Sequence, residues 1–285
     1  MSGPTEMEVL AGVLADAGLK ATLVLGAGWV ATRLVRGGSA AQRHAIWATS
    51  LLALPLLPAL AAQRGAEIAL EQTWIVGVWA VGALAALLPL VVGLLRLAWL
   101  KAEATPDPRS PRLRHSPRIS GPLTWGLLRP VILLPASARD WTPAQRAAAL
   151  AHEEAHIDRK DWAVHLAVWA VCAVFWFHPL VWLARRSLAQ EAEHAADDAV
   201  LDQGVRPSDY ATLLLTLART LGPRAALGLG PSQVGTRVRA VLATRSRSPR
   251  RWPAWVLAAV LLGLSLPALG AFPTWTAPQD TLQCR

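Results

Sequence analysis

His152, Glu153 and His156 are the residues on which a chemistry can be built. In Ala151-His152-Glu153-Glu154-Ala155-His156, two histidines four positions apart bracket a glutamate. Positions i and i+4 share a helix face, so both imidazoles can offer a ring nitrogen to one metal ion while Glu153 lies beside it. This is the pattern of a helical zinc-peptidase site, with the glutamate as general base. The bland alternative is two stacked histidines on a solvated helix. Upstream, Thr142-Pro143-Ala144-Gln145 is a capping box with proline at the first helical position, and Arg146 to Ala151 is rich in alanine. The spacing therefore predicts a helix that carries the motif about two turns in.

Two imidazoles leave room for a third ligand and a water. Glu191, Glu193, Asp197 and Asp198 lie in a stretch from Ala184 to Leu201 that reads as helix, with Gly204 closing it. Glu193 and Asp197 share one face. Glu193 is the candidate third ligand, and Asp197 the acid that hydrogen-bonds a ligating imidazole. Alone, such a stretch is more often a solvated acidic face; paired with the histidine helix, the metal reading is favoured. The cofactor expected is one Zn²⁺ per chain.

Four ordered blocks carry a resemblance: Pro130-Val131-Ile132-Leu133-Leu134-Pro135, then Leu150 to Ile157, then Phe177-His178-Pro179-Leu180-Val181-Trp182, then Glu191 to Asp198. From about Gly121 to Arg219 the chain resembles the BlaR/MecR-type membrane metallopeptidases, the antirepressor family of beta-lactam sensor-transducers. The resemblance implies a gluzincin protease with Glu193 as third ligand. It also implies a substrate class: a cytoplasmic transcriptional repressor, typically a winged-helix dimer, cut after an external signal. Ala196 stands where cysteine is expected in many relatives, and that cysteine is not a metal ligand. Such sensors carry a penicillin-binding domain after the fourth span. Here about a dozen residues follow Phe272, so beta-lactam sensing is not expected.

Composition sets the class. Of 285 residues, 53% are hydrophobic and 14 are tryptophan, and the mean hydropathy of +0.34 indicates an integral membrane protein. Cys172 and Cys284 are too few for a disulfide framework or a cysteine zinc site. Spans are expected at about 10–35, 45–62, 74–99 and 252–272, with Pro55 and Pro58 kinking the second and Asp16 and Lys20 able to pair in the first. Arg33, Arg36 and Arg43 mark the first loop as cytoplasmic; the basic residues after the third span and before the fourth agree. The expected fold is a mainly α multi-pass protein of a bacterial-type cytoplasmic membrane. Residues 1–100 form the three-span membrane domain and 101–251 a cytoplasmic gluzincin-like domain, α with a small β element. Residues 252–272 form the fourth span and 273–285 a short outer tail.

Within the cytoplasmic part, Thr105 to Pro117 reads as a basic, proline-rich linker against lipid headgroups, with no recognition fold for nucleic acid beside it. Val131, Ile132, Leu133 and Leu134 read as a short buried or edge strand. By resemblance to gluzincins, it would bind an extended peptide by strand addition. Trp162 to Leu183 is apolar enough to cross, but crossing would separate Glu193 from the histidines. The site requires this segment to be buried, re-entrant or hairpinned, with a break at His178-Pro179. His165 and His178 read as packing histidines, and Asp209 to Leu221 as a scaffold helix capped by Ser208. His194, Tyr210 and Arg237 are candidates for an oxyanion donor. Expected partners are a protein substrate, membrane lipid and a second copy of the chain. The rival functions are a non-catalytic zinc-binding transducer and a constitutive quality-control protease of membrane proteins.

Overall fold

The computed structural model describes residues 6–57, 73–108, 110–225 and 231–243. The expected fourth span, the outer tail and the end of the second span lie outside the described residues. Among the described residues the N-terminal part holds the helices α1 (Glu6–Leu34), α2 (Ala40–Ala53) and α3 (Thr73–Glu103). A capping box between Ser39 and Gln42 starts α2. In α1, Lys20 Nζ donates to Asp16 Oδ2 at 2.5 Å, the expected i, i+4 pair. From Gly77 to Glu103, α3 is long and apolar enough to cross a membrane, with a mean hydropathy of 2.4. Only 6% of that window is buried. Val78, Val81, Leu84, Leu88 and Leu95 face outward, which a core helix of a soluble protein does not do.

A small sheet follows: β1 (Thr105–Asp107), β2 (Ser110–Ser116), β3 (Leu123–Trp125) and β4 (Val131–Pro135), in the order β1-β2-β4-β3. Two expectations are corrected here. The proline-rich stretch is not a linker but forms β1 and β2. Its prolines are accommodated because Pro106 lies in edge strand β1, while Pro111 lies outside the Leu113–Ser116 segment that pairs with β4. Nor is β4 an edge: it pairs parallel with β2 on one side and antiparallel with β3 on the other. Val131, Ile132, Leu133 and Leu134 therefore have no open ladder for an added peptide. Their continuous apolar run has a packing cause. Ile132 and Leu134 join Leu113 and Ala138 in one core cluster, while Leu133 packs with Leu100 and Ala104 in another.

A 3₁₀ turn (Ala136–Arg139) leads to α4 (Pro143–Asp158), α5 (Asp161–Val174), α6 (Pro179–Asp202), α7 (Pro207–Ala225) and α8 (Pro231–Leu242). The apolar segment at 162–183 is a hairpin: α5 ends at Val174, His178 precedes α6, and the chain returns. Fourteen residues of α5 span about 21 Å, short of a hydrocarbon core of about 30 Å. Val168, Val171, Cys172 and Phe175 of the hairpin pack with Val24 and Leu25 of α1 and Trp47 and Leu51 of α2. At its tip, His178 Nε2 lies 3.1 Å from Gly18 O and 3.2 Å from Thr22 Oγ1. Against α3, a Cβ at Gly82 would fall 2.2 Å from the Trp176 ring, so only glycine permits that approach. The acidic helix α6 is longer than expected, and α7 starts at Pro207, before the Ser208 assigned as its cap.

Candidate metal centre

Thr142 accepts from Gln145 N at 3.2 Å, and Gln145 Oε1 accepts from Thr142 N at 3.0 Å, closing the capping box that fixes the start of α4. Two turns on, the i, i+4 spacing brings His152 Nε2 and His156 Nε2 within 3.3 Å of one another. From α6, Glu193 Oε2 lies 3.5 Å from His152 Nε2 and Glu193 Oε1 3.6 Å from His156 Nε2. The hairpin makes this possible by returning α6 to the side of α4. One donor atom from each of the three residues lies within 4.8 Å of the others.

The far nitrogens of both rings are held by acids. Asp197 Oδ1 is 3.2 Å from His152 Nδ1, and Asp161 Oδ2 is 2.7 Å from His156 Nδ1. A carboxylate at Nδ1 fixes the proton there in the neutral ring, so both Nε2 lone pairs point into the space beside Glu193. Two imidazoles whose Nε2 atoms are free in the neutral rings converge with a carboxylate on one point, a donor set that suits a cation, with Arg237 Nη2 at its edge 3.5 Å from His152 Nε2. The residues therefore fit a divalent metal.

Arg237 of α8 and Tyr210 of α7 complete the surroundings. Arg237 donates to Asp197 Oδ2 through Nε at 2.9 Å and to Asp197 Oδ1 through Nη2 at 2.6 Å, and its Nη1 lies 2.9 Å from Glu193 Oε2. The Tyr210 hydroxyl donates to Asp197 Oδ1 at 2.7 Å and lies 3.1 Å from His152 Nδ1. Burial opposes charge on all these groups, and mutual pairing outweighs it for the acids and for His152. Against that burial, the hydrogen bond to His152 and the Arg237 charge hold Glu193 down at about 2. Asp197 is likewise held well below the usual carboxylate range by His152 and Arg237. Burial alone would lower His152, but its hydrogen bonds to Asp197 and Glu193 raise it to about 9 in the metal-free site. Burial pushes the Tyr210 hydroxyl far up, keeping it protonated.

Glu153 is buried beside the triad and accepts from Thr124 Oγ1 at 2.7 Å. Thr124 belongs to β3, whose backbone carbonyl at Thr124 accepts from Trp162 Nε1 at 2.8 Å. The strand next to Glu153 is thus β3, with β4 behind it. The cavity over the triad has a volume of about 540 Å³ and is bordered by Leu123, Thr124, Glu153, Trp162, Arg185 and Glu193 among others.

Sequence reasoning missed Asp161, which sits five residues beyond His156 across a helix break where Lys160 adopts a φ of 56°. An acid at the first position of the next helix was the available signal. It also missed His44 of α2, which borders the cavity with Nε2 3.9 Å from Asp161 Oδ1. Of the three oxyanion candidates, Tyr210 and Arg237 border the cavity, whereas His194 borders a second hollow beside the α1–α2 connection. His178 is buried at the hairpin tip, and His165 accepts from Trp169 Nε1 at 2.9 Å.

Comparison with known proteins agrees with this architecture. The family described as BlaR1 peptidase M56 matches residues 61–240, well over half of the chain. The chain is also similar to the regulatory protein BlaR1 of Bacillus licheniformis, 36% identical over 89 residues. That alignment covers 31% of this chain and 15% of the relative, so the chain spans only a small part of that relative's length.

Proposed function

The chain is a member of the BlaR1 peptidase M56 family, and we propose that it is a zinc-dependent endopeptidase of the gluzincin type acting on a cytoplasmic protein. One observation carries this reading: His152, His156 and Glu193 converge on one point with Glu153 beside them, at the wall of a cavity. Two imidazoles and a carboxylate leave a position open, as catalytic zinc sites do and closed structural sites do not. Zinc held there would supply Lewis acidity to polarise a peptide carbonyl and acidify water. Glu153 takes a proton from water as its oxygen bonds to the carbonyl carbon, then delivers that proton to the amine nitrogen as the C–N bond breaks. Thr124 aims the Glu153 carboxylate. Asp197 and Asp161 keep each ligand imidazole in the tautomer that frees Nε2. A purely structural metal site has no use for Glu153, which disfavours the non-catalytic transducer.

The membrane arrangement proposed is multi-pass, with spans at about 10–35, 45–62, 74–99 and 252–272 and residues 101–251 in the cytoplasm. Its support is the basic first loop together with Arg43 Nε, which donates to Glu191 Oε1 at 2.8 Å and so ties the start of α2 to the helix that carries Glu193. The substrate proposed is a transcriptional repressor of winged-helix type, cut in a signalling pathway. The relative's designation as a regulatory protein favours this over housekeeping proteolysis. No nucleic-acid contact by this chain is invoked, and a homodimer in the lipid bilayer is compatible with the reading.

The test compares newly formed protein N-termini in cells expressing the wild type and Glu153→Gln. Termini that appear only with the wild type and concentrate in one DNA-binding repressor are expected. Wild-type-dependent termini spread over many membrane proteins would replace the repressor with a housekeeping role. Identical samples under several envelope stresses would reject the peptidase.

A further inference from the structure

Arg185 is a cation in the cavity that the metal chemistry does not use. It lies on the same face of α6 as Glu193, since 185, 189 and 193 are successive i+4 positions, and Ala189 leaves the line between them open. Its guanidinium carbon sits 4.1 Å from the centroid of the Trp169 ring, a cation–π stack that fixes the side chain. Trp169 is itself held, donating through Nε1 to His165 Nε2 at 2.9 Å and meeting Trp182 edge-on at 5.8 Å. The Nε of Arg185 is buried and has no hydrogen-bond partner, and among the described residues no carboxylate pairs with this arginine. The acids bordering the cavity, Glu153, Asp161 and Glu193, belong to the metal end.

A guanidinium held by stacking at the cavity wall, with no counter-charge among the described residues, is a site built for an anion that arrives from outside. We propose that Arg185 is a specificity-determining residue that binds the carboxylate of an acidic side chain in the peptide substrate. This proposal rests on the peptidase reading and names one feature of the substrate. Eight residues of helix separate Arg185 from Glu193, a rise of about 12 Å. An extended peptide covers that distance in about three to four residues, which sets the acid's separation from the cleaved bond. The position of Arg185 in the cavity shared with the metal ligands favours a peptide acid over a lipid phosphate.

The experiment uses the full chain, zinc-loaded, in nanodiscs of defined lipid composition. The probes are peptides identical except for one residue, Asp, Asn or Lys, stepped along the sequence. Wild type should cleave the Asp peptide about ten- to a hundredfold faster in kcat/KM than its Asn isostere when that residue lies about three to four places from the bond. Arg185→Gln should abolish the preference, Arg185→Lys keep part of it, and Arg185→Glu invert it towards Lys. Absence of any acid preference in the wild type overturns the proposal, even if every variant fails to fold. So does a variant that slows all peptides equally, which would make Arg185 a brace, or one that alters only the dependence on anionic lipid, which would make it a headgroup anchor. Fluorescence anisotropy of the same peptides on zinc-loaded Glu153→Gln separates the two claims. Arg185-dependent binding of the Asp peptide without hydrolysis by the wild type would sink the peptidase and keep the subsite. Hydrolysis without that dependence would do the reverse.

Discussion

Asp161 Oδ2 sits 2.7 Å from His156 Nδ1, so the first residue of α5 sets the ring of a histidine near the end of α4. Arg159 fastens the same acid: its Nη2 donates to Asp161 Oδ2 at 2.5 Å and to Ala192 O, next to Glu193, at 2.8 Å. The break between two helices is thereby part of the candidate metal centre. Asp161→Asn keeps the shape but removes the charge that fixes the His156 tautomer. It should weaken zinc binding about 10- to 100-fold while helical content stays unchanged, as read by metal titration and circular dichroism. Unchanged affinity would show that His156 needs no such support.

Arg237 neutralises two acids at once, and Asp197 beside it is 2% exposed. Arg237→Ala leaves that carboxylate buried without its arginine partner. The variant should lose on the order of 3 kcal/mol of stability in the metal-free chain, with a smaller loss when zinc is bound. A thermal melt within a degree of wild type in both states would contradict the pairing.

The metal-free chain should be sensitive to alkaline pH. Although burial opposes it, the Asp197 and Glu193 hydrogen bonds raise His152 from 6.5 to about 9. A raised folded-state value means stability fully present below about pH 6.5 and lost as pH rises through about 9. Melting of the metal-free chain should therefore fall by several degrees between pH 7 and 10. Zinc takes the place of that proton, so the loaded chain should vary less over this window, and binding at pH 7 should release a proton. A flat metal-free profile would place His152 in the neutral form.

The local parts of this site were legible because their signals are local. The capping box at Thr142 and Gln145 and the four-residue spacing of His152 and His156 each lie within one or two turns of chain. Glu193 and Asp197 were recognisable as one face of a second helix, and requiring both helices on one side left 162–183 to be buried, re-entrant or hairpinned, with a break at His178-Pro179. Residues joined only by the fold were harder to read. Arg237 meets Asp197 from 40 positions away, and Tyr210 meets His152 from 58. Both stood out only as donors of unknown aim. The strand at Val131 to Leu134 was legible, but β1 and β2 were missed because a proline-rich stretch reads as a linker, whereas here Pro106 occupies an edge strand and Pro111 a segment outside the β4 pairing. The interior position of β4 depends on its parallel pairing with β2, which no short-range pattern encodes.

The hairpin has a consequence for topology. If α5 and α6 turn back within the bilayer, reporters fused after Lys101 and after Arg206 should both report the cytoplasm. An outer signal at Arg206 alone would mean that the segment crosses, and the histidines and Glu193 would then belong to different compartments.

The most direct test of the metal centre is zinc stoichiometry by elemental analysis of the full chain in nanodiscs. Wild type and Glu153→Gln should each hold one zinc, because the base is not a ligand, while Glu193→Ala should lose the metal as severely as His156→Ala. Stoichiometric zinc retained by Glu193→Ala would contradict the three-residue site from which the proposed chemistry follows.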